Sequence, residues 1–283
     1  MTVVVALVAG LAAALLLERT TREVFAQPVL RRRNYRDHEL ATAAGLLLVV
    51  AVIAVDGLRT VIEVLGASDG VTARDRLIVL AAVVSFGALG FVDDVLGDDR
   101  EKGLRGHVRA ALGGRVTTGF IKLAGGASVA LVLAGAVLGD QPARIVIDAS
   151  LIALAANMGN LFDRAPGRTI KVGVLAWIPV AVVAGTSATG LAVAVVVGAA
   201  IGLAPSDLRE RSMLGDTGAN ALGAALGVAV VLTAGPGARS VVAAVLLALT
   251  LLSEVVSFSA VIAKTPPLRA VDRLGRRREE PTS

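Results

Sequence analysis

Residues 90–107 read GFVDDVLGDDREKGLRGH, and their first two residues end a run, Leu77 to Phe91, of fifteen residues without a charge. Asp93 and Asp94 therefore stand side by side at the end of an apolar segment. Three more polar groups occupy similar positions. Lys122 lies just inside an apolar run, in FIKLAGG. Asn157, Asn160 and Asp163 close another, in NMGNLFD, and Asp216 opens a third, in MLGDTGANALG. Carboxylates gathered from different segments are hard oxygen ligands suited to Mg²⁺ or Mn²⁺. With no cysteine and only two histidines, zinc chemistry is disfavoured. A divalent cation beside Lys and Arg at a lipid–water boundary suits a phosphate or diphosphate substrate. Each group also has a plainer reading. Asp216 followed by Thr217 and Gly218 reads as a helix cap. Asp93 and Asp94 read as a solvated helix end, and Asn157 with Asn160 as interhelical hydrogen bonding. Lys122 reads as a side chain reaching for the interface.

The elements that must position these groups are hydrophobic helices. The chain has 283 residues, 55% of them hydrophobic, with mean hydropathy +0.76. Aromatics are only 3%, so the apolar mass is Ala, Val, Leu and Gly. In lipid, backbone polar groups must be satisfied within each segment, which favours helices, and the runs are too continuous for an alternating barrel. The expectation is an all-α polytopic membrane protein with about nine transmembrane helices, near 2–17, 40–55, 77–92, 116–138, 145–159, 170–185, 188–204, 217–234 and 240–263. The first is read as a retained helix, because no positive segment precedes it. With the N-terminus outside and the C-terminus cytoplasmic, 22 basic residues fall inside and five outside. The net charge of +5 then reflects topology and anionic lipid, and no nucleic-acid partner is expected. Residues 1–264 read as one membrane domain with its polar site at the cytoplasmic face. Residues 265–283 read as a basic, disordered cytoplasmic tail. The segment LRTVIEVLG, within the outer loop 56–76, reads as interfacial.

In order, spacing and membrane side, these motifs resemble the polyprenyl-phosphate N-acetylhexosamine-1-phosphate transferases. That family includes the phospho-MurNAc-pentapeptide translocase and the GlcNAc-1-phosphate transferases. GFVDDVLGDDREKGLRGH is similar to its Asp-Asp motif with a downstream Gly-Leu, and FIKLAGG to a span carrying a Lys. NMGNLFD matches Asn-x-x-Asn-x-x-Asp, and MLGDTGANALG matches Gly-Asp-x-Gly-Ser with Ala219 in the place of Ser. The resemblance covers residues 31 to 276. It implies that Asp93 and Asp94 are catalytic and that Asp216 is the Mg²⁺ ligand. It implies that Asn157, Asn160 and Asp163 contact the sugar nucleotide and that Lys122 faces the lipid phosphate or diphosphate. The implied reaction is transfer of a sugar-1-phosphate from a UDP-sugar to polyprenyl phosphate at the plasma membrane, with release of UMP. A homodimer is the family precedent.

The chain departs from that pattern at several points. Arg164 and Pro166-Gly167 follow Asp163 where the family has Gly and a second Asp-Gly. Ser206 stands for an Asn and Met213 for an aromatic, both in the family's uridine pocket. RDHELATAAG only loosely follows Pro-Thr-x-Gly-Gly. TPPLRAVDRLGRRRE carries Arg269 and Arg273 where the family keeps histidine. Arginine holds phosphate well and stays charged, so it does not shuttle protons. His38 and His107 read as loop histidines; His107 closes the Gly-Leu segment and is placed near the phosphates. Glu254 looks deep in the last span, within reach of Lys122. Two further readings stay open: a catalytically altered relative that binds polyprenyl lipid or scaffolds envelope enzymes, and an unrelated transporter or channel.

Overall fold

A computed structural model describes residues 1–34, 36, 38–66, 73–97, 113–114, 116–138 and 141–277. Its long helices are α1 (Val3–Thr20), α3 (Gly45–Val64), α4 (Ala73–Leu96), α5 (Thr118–Leu138), α6 (Pro142–Phe162), α7 (Arg168–Ala184), α8 (Ala188–Leu208), α9 (Gly215–Thr233) and α10 (Pro236–Ser253). Short pieces complete it: α2 (Arg22–Phe25), the antiparallel strands β1 (Arg31–Arg33) and β2 (Glu39–Ala41), α11 (Phe258–Lys264) and α12 (Pro266–Arg273). Among the described residues, eight helices are long and apolar enough to cross a membrane. The ninth long helix, α7, has 17 residues and carries Pro179. The chain is an all-α polytopic membrane protein.

The bundle is built around α8 and α9. In their apolar windows 83% and 78% of residues are buried, against 6% for α10. A helix enclosed on every side by other helices needs small residues, since crossing distance is set by side-chain size. α9 supplies them in GDTGANALGAALG, and α3, α4, α6, α7 and α8 all pack on it. Two approaches admit no side chain on the opposing helix. A Cβ on Gly90 of α4 would be driven into the Asp216 carbonyl, and one on Gly159 of α6 into the Ala219 carbonyl. α4 and α6 thus touch the α9 backbone within one turn of Asp216. α1 packs along α8, and α5 closes the bundle against α4 and α6.

Several boundaries differ from the sequence expectation. The second span does not start at residue 40. Residues 39–41 form β2, paired to β1, and α3 runs on to Val64, so most of LRTVIEVLG is the last part of that helix. The expected span 240–263 breaks after Ser253 and restarts at Phe258, where the Ser257 hydroxyl accepts from the Ala260 N–H at 3.3 Å. Glu254 lies exposed at that break, not deep in a span, and Lys122 pairs elsewhere. The segment after 264 continues as α12 and is held by ion pairs; residues 278–283 lie outside the described residues.

At the end of the bundle away from Asp216, charges are paired within the protein. Arg76 of α4 meets Asp56 of α3 at 3.0 Å and Glu63 at 2.8 Å. Arg239 of α10 meets Asp148 of α6 at 2.5 Å, and both are buried. Side chains this dry retain charge only when paired.

Gly159→Ala is expected to lower the thermal unfolding midpoint in detergent, because forcing a methyl into this contact costs about 1–3 kcal/mol. Gly57→Ala, in α3 with no atom within 4 Å of the added Cβ, should leave the midpoint unchanged or raise it. Equal effects would refute the close-packing account.

Candidate functional site

The site begins with how α9 starts. The first N–H groups of a helix have no partner inside it, and α9 has no side-chain cap of its own. Asp94, at the end of α4, supplies one from 122 residues away. Its Oδ1 accepts from the Asp216 N–H at 3.0 Å, and its Oδ2 accepts from the Thr217 N–H at 3.0 Å and the Thr217 hydroxyl at 2.6 Å. A carboxylate there also complements the positive end of the helix dipole. The local sequence reading made Asp216 the cap; in the structure Asp94 caps, and the Asp216 side chain is released for other contacts. Gly215 precedes it at φ +71°, a left-handed turn that a side chain would strain.

The start of α9 is fixed from a second direction by main chain. Met213 N–H donates to the Ala41 carbonyl at 2.7 Å, and the N–H groups of Ala44 and Gly45 donate to the carbonyls of Met213 and Leu214. The poorly matching RDHELATAAG segment thus holds the loop before Asp216. Glu210, at φ +53°, ties the same loop to the hairpin through Asn34 at 2.9 Å and Arg36 at 3.3 Å.

Asp93, the other member of the pair, turns toward Lys122. The Lys122 ammonium is ion-paired with Asp216 Oδ2 and lies 3.6 Å from Asp93 Oδ2. With its amide oriented to satisfy its neighbours, Asn160 donates to Asp216 Oδ1 at 2.5 Å and accepts from Lys122 Nζ at 2.9 Å. The ends of α4, α5, α6 and α9 thus bring Asp93, Lys122, Asn160 and Asp216 together at one end of the bundle. All four are partly accessible.

Asp163 sits one turn beyond Asn160, just past the end of α6. Its Oδ1 accepts from the Thr169 hydroxyl at 3.2 Å. Burial, then the charges of Asp207, Asp216 and Asp94, push its carboxyl well above the usual carboxylate range. The sequence reading missed Asp207. This buried carboxylate accepts from the Gly167 N–H at 2.6 Å and the Leu214 N–H at 3.1 Å, so one side chain clamps the loop after Asp163 to the loop before Asp216. The available signal was an acidic residue two positions after Pro205 at the end of an apolar run.

Other expected site residues lie elsewhere. Asn157 faces α10, where its amide meets the Thr250 hydroxyl at 3.5 Å. Ser206, at a position of the resembled family's uridine pocket, is buried and donates to Glu18 of α1. Arg269 and Arg273 are exposed on α12; they do not join the Lys122 cluster. His107 lies outside the described residues. The C-terminal segment engages the bundle through Asp272, Arg276 and Arg277. Arg168 of α7 grips the two Asp272 oxygens at 2.8 and 3.1 Å, and Arg276 adds a contact at 2.5 Å. Phe258 stacks on Phe162, centroids 5.7 Å apart, and so seats α11 on the end of α6.

Among the described residues, no group of three or more His, Cys, Asp or Glu side chains is arranged to hold a metal ion. The acidic pair is Asp93 with Asp216, and a lysine ammonium lies against both. No protein-family model matches the chain, and no curated protein matches it.

Two measurements check these assignments. Asp94→Ala is expected to lower stability by about 1–3 kcal/mol, since it strips the α9 N–H groups of their acceptor. Asp93→Ala should change it little, because Asp216 still pairs Lys122; thermal unfolding of both variants separates the roles. Asp272 titrates below the usual aspartate value: burial raises it, but the Arg168 hydrogen bond and the charges of Arg168, Arg276 and Lys171 outweigh that. The clasp is therefore at full strength above pH about 3.9 and weakens as pH falls through the lower folded value. Protection factors of residues 266–277, taken relative to the intrinsic exchange rate at each pH, should fall below pH about 4 and stay constant from pH 5 to 7.

Proposed function

We propose that this protein is a phosphoglycosyl transferase of the plasma membrane, with the polar cluster at the cytoplasmic face. It would move a sugar-1-phosphate from a UDP-sugar to polyprenyl phosphate. The observation that carries this reading is the meeting of Asp93, Lys122, Asn160 and Asp216 from four separate helices at one end of a membrane bundle. Polar groups at such depth cost free energy and generally mark function. The order of the motifs along the chain, and their resemblance to the polyprenyl-phosphate transferases, support the same chemistry.

The donor set suits Mg²⁺. Mg²⁺ commonly takes one or two carboxylates and completes its shell with water and substrate phosphate. Asp93 and Asp216 are two such carboxylates around one cationic position, with the Asn160 amide beside them. Asp216 would hold the ion, which leaves Asp93 to act on the lipid phosphate. When bound, the ion would supply neutralisation of the diphosphate charge. Lys122 would then turn its ammonium from the carboxylates onto substrate phosphate, so Asp216 and the substrate compete for one cation. Asp93, the less enclosed of the aspartate pair, would take the proton of the lipid phosphate. The lipid phosphate oxygen would attack the β-phosphorus, the bond to the α-phosphate oxygen would break, and UMP would leave. Asp94, Asp207 and the Ala41–Met213 pairing hold the aspartates in place and touch no substrate in this scheme.

One observation favours a second reading. Lys122 already pairs with Asp216 and lies near Asp93, and Arg269 and Arg273 are exposed where the resembled family keeps histidine. A relative that binds polyprenyl phosphate without turnover would tolerate both.

Purified protein in nanodiscs with polyprenyl phosphate, Mg²⁺ and a panel of UDP-sugars should release UMP. Asp93→Asn and Asp216→Asn should each cut the rate by about 100-fold or more. No release across the panel, from folded protein that binds the lipid, would move the assignment to the non-catalytic reading.

A further inference from the structure

The short helix α12 has two unlike faces. Its eight residues read PPLRAVDR, and Leu274 follows. Leu268 and Val271 are three apart and share a face, which Leu274 extends. The three side chains are 47%, 49% and 71% exposed, so the protein leaves that face largely uncovered. Arg269 and Arg273 are four apart, and each is two positions from Val271. Two positions turn a helix by about 200°, so the arginines form the opposite face. Asp272 lies on the flank between the two, and there Arg168 of α7 grips the helix.

Neighbouring elements fix the level of α12. The Asp272 carbonyl accepts from Lys171, in the first turn of α7, at 2.6 Å. The Arg277 N–H donates to the carbonyl of Leu208, the last residue of α8, at 3.4 Å. The segment therefore crosses the ends of two long helices, and long apolar helices end where hydrocarbon meets water. The chain also reaches α12 from α10, the least buried of the eight helices able to span. Val255 at the break and Val261 of α11 are exposed as well, so exposed apolar residues continue along the chain from α10 to α12. An apolar face at this level borders the headgroup region.

Charge points to the same surroundings. Lys264, Arg269, Arg273 and Arg277 are exposed, and among the described residues none of these four has a carboxylate within ion-pair distance. From residue 264 to the end of the chain there are six basic and three acidic residues, so the segment is net positive. Basic residues on one side of a helix and apolar residues on the other are the pattern of a helix that lies in the interface, held by buried apolar area and by anionic headgroups.

We propose that α12 docks on an anionic lipid surface at the Asp216 end of the bundle, with Leu268, Val271 and Leu274 at the acyl boundary and its cations on the headgroups. The leaflet and the Arg168 fork then hold one short helix from two sides. This inference does not rest on the transferase reading.

The chain has no cysteine, so a single substitution places a single label. Val271→Cys and Arg269→Cys, each in the full chain, carry an environment-sensitive fluorophore in nanodiscs of phosphatidylglycerol or of phosphatidylcholine. In phosphatidylglycerol, a quencher on the upper acyl chain should dim the label at position 271, and water-borne acrylamide should not. At position 269 the order should reverse. Adding Arg273→Gln to Val271→Cys should move the ratio of docked to undocked helix about fivefold toward undocked. Phosphatidylcholine discs should move it the same way. Equal acrylamide quenching at the two positions would overturn the proposal. So would a label at position 271 shielded from both quenchers, the result expected if a protein partner or a second copy covers the face. Identical quenching at position 271 in the two lipids would exclude the anionic surface and overturn it as well.

Discussion

The site depends on backbone meeting backbone at the start of α9. Two helices approach this one closely enough that a methyl group on Gly90 or Gly159 would strike a carbonyl. That distance brings Asp94 within reach of the α9 N–H groups, and the Asp94 cap in turn fixes the direction of Asp216. The polar cluster therefore follows from a steric condition. Replace the small residues and the helices separate, and Asp93, Asn160 and Asp216 no longer share a cation.

The aspartate pair divides its work. Asp94 is spent on structure, with both oxygens accepting from α9. Asp93 keeps an oxygen directed at Lys122 and accessible surface around it. Adjacent residues on a helix point about 100° apart, so one can face a neighbouring helix while the other faces the mouth of the site. An adjacent pair is thus an economical way to place a positioning acceptor beside a reactive one. Asp207 repeats the logic on the other flank. Its oxygens accept from main-chain N–H groups and tie two loops, each of which carries an aspartate of the site.

The fold was largely legible in the sequence because lipid removes most alternatives: long apolar runs of Ala, Val and Leu become helices. Boundaries were less so. α3 runs past Asp56, Arg59 and Glu63 because Arg76 on the next helix pairs with Asp56 and Glu63. Such long-range neutralisation leaves no local trace. The same holds in the site. Asp93, Lys122, Asn160 and Asp216 could be picked out as charges and amides at the ends of apolar runs. Asp207 stands at the end of an apolar run too, but what distinguishes it and Asp272 is a partner distant in the chain, Gly167 for one and Arg168 for the other. Asn157 was picked from the same motif as Asn160, and the two lie only about 60° apart on α6, yet the Asn157 amide meets Thr250 of α10 while Asn160 meets Asp216.

The Asp148–Arg239 pair bears on how such a chain is assembled. The carboxylate enters the membrane on α6, and its guanidinium partner arrives on α10, 91 residues later. Between these events three further helices must be made and inserted. During synthesis α6 therefore carries an acid whose buried partner is not yet made, with only Arg144 of its own first turn facing it. It must stay protonated, linger beside the insertion machinery, or borrow a temporary partner. Arg239 faces the mirror problem on a helix with little buried surface of its own. The last long helix is thus a late-arriving counter-ion for an early one, and truncation before residue 239 would leave Asp148 without its guanidinium partner.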